Sequence, residues 1–230
     1  MSSAPLAQES TGYEAVEQEP PEVMARNLTV AAYLLAGATA FFFVAFLFGY
    51  FYLRSLDNGG MWKPKGVDGS VGWGTAVVAC YVVSVLLVRL AAVDQAADRR
   101  PQWRLKGLLA LLAGLAGLVV QVFAWTHQGF GPTDGGYASI YFGWTAFLFL
   151  FVLGTMFWLE ITLATSWRYR KEPFGAAEVA AGDASGDPHR TAHDIENPVD
   201  VNRAELTSLS FYWTFLAAIA VVAWVVLYLL

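Results

Sequence analysis

The chain has 230 residues, 57% of them hydrophobic and only 14% charged, with 9 Trp, 10 Tyr and 16 Phe. That is too apolar for an ordinary soluble domain of this length. The net charge of −5 comes from the first 22 residues and from 172–205, so it marks no surface for nucleic acid. One cysteine, Cys80, excludes a disulfide framework or a cysteine metal cluster within the chain.

Residues 1–26 hold Ser, Pro and five Glu with no apolar period, and read as a mobile tail. Asn27-Leu28-Thr29 matches a glycosylation sequon, but its place at a helix start favours a cap. The first apolar run, 27–54, has no formal charge between Leu28 and Leu53. A run of about 20 apolar residues crosses the ~30 Å hydrocarbon core as a helix. In lipid the backbone must bond within its own segment, which is why a helix is the form expected. Tyr50, Phe51, Tyr52 and Arg54 close this run with side chains suited to a headgroup region.

A loop over 55–71 carries Trp62-Lys63-Pro64-Lys65-Gly66-Val67. A second run, 72–93, contains Arg89 near its end, and a charged connector follows with Asp94, Asp98, Arg99, Arg100, Arg104 and Lys106. The third run is 105–126. Its Gly114 and Gly117 share a face that lets another helix approach closely, as do Gly37, Ala38 and Ala40 on the first. The loop HQGFGPTDGG leads to the fourth run, 137–167, which carries Glu160 and ends in Trp167 and a basic cluster. A polar segment, 172–205, reads as a cytoplasmic loop, and the fifth run is 206–229.

Five crossings place the chain's two ends on opposite sides. With the N-terminus inside, eleven Lys and Arg fall on the cytoplasmic side and three, Arg54, Lys63 and Lys65, outside. The positive-inside rule therefore favours a cytoplasmic N-terminus and an external C-terminus. Trp62, Trp73, Trp103, Trp125, Trp167 and Trp213 all fall near predicted helix ends, as an interfacial belt would. Tyr50, Arg54, Trp62, Trp125 and Trp213 are read as contacts for lipid or a partner at those ends. The fold expected is an all-α integral membrane bundle of five helices, in one domain over 27–230.

The ends of the first helix and the loop after it carry a resemblance. Tyr50 to Arg54, followed by Trp62-x-Pro64-x-Gly66-Val67, resembles the opening of subunit III of haem-copper terminal oxidases, the cytochrome c and quinol oxidases. Gln121-x-x-x-Trp125 is similar to that family's Q-x-x-E-W. Tyr137-x-Ser139-x-Tyr141-Phe142 and Val152-Leu153-Gly154 are similar to its fourth-helix segments, and Tyr212-Trp213-x-Phe215 to its Y-W-H-F. The five-helix length looks like the short bacterial form, of which the resemblance would make this chain a divergent member. The family's buried ionisable positions fall here on Thr39, Ala124, Leu148, Phe151, Thr214 and Ala217, so the roles of those groups do not carry over.

The resemblance implies a non-catalytic subunit of a respiratory oxidase in the bacterial inner membrane. Its partners would be the catalytic subunit I, other subunits and membrane lipid. Haem and copper would belong to the partner, with no cofactor held by this chain and bound phospholipid in a supporting role. Related readings are an accessory subunit of a nitric oxide reductase and, from another class, a small transporter or channel. A transporter would need a polar path at mid-membrane or broken helices, and the runs are almost free of mid-depth charge.

Haem and copper take His, Cys or Met ligands, and none of His127, His189 and His193 lies deep in an apolar run. His189 and His193, with Asp187, Asp194 and Glu196 nearby, are better read as solvated loop residues than as a surface metal site. No Walker loop, dinucleotide fingerprint or nucleophile elbow is present. Two charges within the apolar runs remain. Arg89 and Glu160 lie at similar depth, and the expectation is that they pair with each other or with a group on a neighbouring subunit.

Overall fold

A computed structural model describes residues 21–57, 59–168 and 198–230. These residues form helices joined by short loops. The helices are α1 (Pro21–Ser55), α2 (Val71–Ala96), α3 (Arg100–His127), α4 (Gly136–Arg168) and α5 (Pro198–Trp224), with a π-helical turn, Val225–Leu229, completing the last. All five are long and apolar enough to cross a membrane.

Several boundaries differ from the sequence expectation: α2 runs on to Ala96 and α3 starts at Arg100, so the charged 94–104 connector is mostly helical, and the first and fifth helices also start early. The first helix starts at Pro21, not at Asn27, so part of the expected tail is helical and Asn27 lies inside α1 rather than capping it. The fifth helix starts at Pro198, so 198–205 of the expected loop is helical. Hydropathy marks where a helix is apolar, and a helix continues past the lipid for as long as its polar residues find partners. The remainder of the tail and of the 172–205 loop, with His189 and His193, lies outside the described residues.

Three devices set the packing. First, α2 and α3 form an antiparallel hairpin across a very short connection. Asp98 takes a left-handed conformation, φ 53°, and the Arg99 amide donates to the Asp94 carbonyl at 2.9 Å. Second, glycines on α3 admit side chains from both neighbours. A Cβ on Gly107 would meet Leu163 of α4, one on Gly114 would strike Met156 of α4, and one on Gly117 would press on the Tyr81 ring of α2. The expected glycine face is thus split between two partners. Gly37 and Ala38, by contrast, face away from the bundle.

Third, α5 packs against α1, α2 and α4 together. Its inward side chains Leu206, Leu209, Trp213 and Leu216 are fully buried. Apolar burial inside a bilayer gives little net transfer energy, so close packing and interhelical hydrogen bonds hold such a bundle. Two of several such bonds lie in the buried middle of α5. Trp213 Nε1 donates to Ser84 Oγ at 2.9 Å, and Ser84 in turn donates to the Ala110 carbonyl at 2.7 Å. Thr39 and Tyr212 share a buried hydroxyl pair at 3.1 Å. Phe42, Phe43 and Phe46 of α1 pack on Trp144, Phe147 and Phe151 of α4.

The outer face of α1 stays apolar and open, with Phe41 80% exposed. The start of α1 lies beside the start of α5, Tyr33 against Phe211. The C-terminal turn lies at the other end, beside Tyr137. The two described ends of the chain are therefore at opposite ends of the bundle.

Candidate functional site

The end bearing the 56–70 loop is the more elaborate. Here Pro64 to Val67 make a tight turn, the Val67 amide donating to the Pro64 carbonyl at 3.1 Å, with Gly66 at φ +88° in the position that tolerates it. The turn drives Trp62 inward, edge-on between Tyr50 and Tyr137, with ring centroids at 5.1 and 6.1 Å. The carbonyls of Met61 and Trp62 then accept from the Gly136 and Tyr137 amides at 3.3 and 2.9 Å. Those amides open α4 and would otherwise have no partner. Gly135, at φ +132°, permits this approach, because a Cβ there would meet Pro64 and both carbonyls. Lys63 lies 4.7 Å over the Tyr137 ring and 2.6 Å from Asp68.

Beneath the loop is a cluster of hydroxyls and amides. Tyr137 donates to the Leu227 carbonyl at 2.7 Å and accepts from the Gly69 amide at 3.3 Å. Tyr141 accepts from Gln128 Nε2 at 2.9 Å and from the Tyr228 hydroxyl at 3.1 Å. Thr145 accepts from Trp125 Nε1 at 2.9 Å. The π-helical turn is what brings Tyr228 to this cluster. A π-turn inserts one residue into the helical repeat and is often found at functional positions. Gly69 and Gly74 make room for the Tyr228 ring, which a Cβ on either would overlap.

The opposite end is held by charge. Asp94 is buried, its side chain only 3% exposed, and it pairs with Lys106 and with Arg99 at 2.6 Å. Arg104 donates to the Ser166 carbonyl, joining α3 to α4. Gln95 donates to Asn202 at 2.8 Å, and Glu205 accepts from Trp158 at 3.2 Å and from Thr162 at 2.9 Å. Asp94 and Glu205 are the residues that sequence reasoning passed over. A signal existed for Asp94, since a short turn between antiparallel helices brings it back towards Lys106. For Glu205 there was none, because it fell within a segment read as a loop.

The residues singled out from sequence fare unequally. Among the described residues neither Arg89 nor Glu160 takes part in an ion pair, and both are exposed on the outer surface of the bundle. The expected intrachain pair is therefore not formed. Each charge lies on the outward side of its helix, where depth alone cannot bring the two together. A double-mutant cycle over Arg89→Gln and Glu160→Gln is expected to be additive to within about 0.5 kcal/mol in detergent unfolding. A larger coupling would restore the pair.

Tyr50, Trp62 and Trp213 are buried in the chain's own core and offer no surface to lipid or partner. The earlier start of α5 puts Trp213 about 22 Å along the helix instead of near its end, and it packs there on Tyr81 and Ser84. Trp103 is also buried. Trp125 is half-buried and committed to Thr145. Arg54 remains exposed, 6.0 Å over Tyr50, and Trp167 is exposed. His127 lies at the exposed end of α3 beside Trp73, ring centroids 5.8 Å apart. Among the described residues no three His, Cys, Asp or Glu side chains converge as metal ligands.

Fold and composition together define a multi-pass helical membrane protein. Neither a family model nor a curated protein sequence matches the chain.

Proposed function

We propose that this chain is the non-catalytic subunit III of a respiratory haem-copper terminal oxidase. It lies in a bacterial inner membrane with its N-terminus cytoplasmic and its C-terminus outside. It stabilises the haem- and copper-bearing catalytic subunit and binds lipid, in a complex that reduces oxygen to water. The observation that supports this reading is the meeting of motif residues from separate segments. Tyr50, Trp62 and Tyr137 stack into one unit, and Tyr141 sits one turn further along α4 in the same cluster. Several residues that resemble a family pattern from separate parts of the chain thus meet at the loop-bearing end. The open apolar face of α1 suits lipid or a partner helix.

Affinity purification from membranes in mild detergent tests the reading. Haem absorption bands and copper are expected to co-purify with the chain, with oxygen consumption on addition of an electron donor. Nitric oxide consumption by the purified complex would move the assignment to a nitric oxide reductase. A lone oligomer free of cofactors would overturn the oxidase reading in favour of a transporter.

A further inference from the structure

A crevice of about 20 Å³ lies where α2, α3, α4, α5 and the C-terminal turn meet. Its polar wall is Gln121, Thr145 and Tyr228, with Gly74, Trp224 and aliphatic side chains around them. Gln121 is 5% exposed. Its amide approaches the Tyr141 hydroxyl, yet its buried Nε2 is not in hydrogen-bonding geometry with any described acceptor. A buried donor without an acceptor is costly, and the great majority of such groups are satisfied by protein or ordered water. A water needs roughly 10–15 Å³ and two to four polar partners, and this crevice offers both.

We propose that the crevice binds one ordered water molecule, which accepts from Gln121 Nε2 and donates to the hydroxyl oxygens of Tyr228 and Thr145. Each hydroxyl has the capacity. Tyr228 donates its own proton to Tyr141, leaving its lone pairs open. Thr145 donates to the Tyr141 carbonyl at 2.7 Å and accepts from Trp125, leaving one lone pair. Gln121 belongs to α3 and Tyr228 to the turn after α5, two elements with little direct contact. The water therefore acts as the missing link between them, and it does so whichever complex the chain belongs to.

A density map of the intact, detergent-purified protein, at a resolution that shows ordered solvent, tests this. The expected result is one peak within hydrogen-bonding distance of Gln121 Nε2, Tyr228 Oη and Thr145 Oγ1. The same map of Gln121→Leu, which removes the donor while keeping an apolar side chain, is expected to lose it. A native map with no such peak overturns the proposal, as does a detergent or lipid chain filling the crevice. A peak that survives unchanged in Gln121→Leu overturns the role given to Gln121. The native map decides by itself should the variant fail to fold.

Discussion

Replacing Trp213 by alanine is expected to destabilise the protein by about 3 kcal/mol, the lower part of the range for a large aromatic truncated in a core. The lower part applies because lipid is as apolar as the bundle interior, so the transfer component of the cost shrinks and the cavity component remains. Trp213 is fully buried, edge-on to Tyr81 with centroids 5.5 Å apart, and holds Ser84 through its indole N–H. Alanine leaves both neighbours facing a void at the junction of α2, α3 and α5. Trp213→Phe keeps most of the volume and loses the hydrogen bond, and should cost about 1 kcal/mol beyond any packing change. Thermal unfolding in detergent, followed by helical circular dichroism, separates the two variants. If Trp213→Ala melted like the parent, the side chain would be an interfacial anchor and not a core residue.

Gly117→Leu is expected to cost about 3 kcal/mol by overpacking and to lower the yield of folded protein sharply. An added Cβ would lie 2.5 Å from an edge carbon of the Tyr81 ring and 3.1 Å from Cβ of Cys80. Tyr81 cannot retreat, because it is buried against Trp213 on its other side. The backbones of α2 and α3 would have to part, and the Ser84–Ala110 bond that joins them would lengthen. Gly37→Leu is the control. It places the same side chain on a glycine with nothing within 4 Å, and its melting point should stay close to the parent's. Equal effects from the two substitutions would mean that helix propensity, and not interhelical clearance, governs these glycines.

Five apolar runs were legible in the chain itself, because each is far longer than a buried core helix requires and almost free of charge. Their order and the close-packing glycines of α3 followed from the same pattern, whereas the three-residue turn between α2 and α3 did not. The 55–71 segment was legible as a loop and its W-x-P-x-G-V pattern through the resemblance, whereas the turn at Gly66 appears only in the structure. What could not be read was the direction of each side chain. Trp213 and Trp62 look like interfacial aromatics by position along the chain, yet both point inward: the early start of α5 sets Trp213 deep along the helix and its packing on Tyr81 and Ser84 sets its face, while the 64–67 turn folds Trp62 under the loop. Arg89 and Glu160 share a depth but not a face, and depth is all that a linear count of residues provides. The Asp94 ion cluster and the hydroxyl cluster around Tyr228 join residues up to 90 positions apart. The rotation of each helix about its axis decides such contacts. That rotation is set by which side chains interlock across the bundle, a property of all five helices together and of none alone.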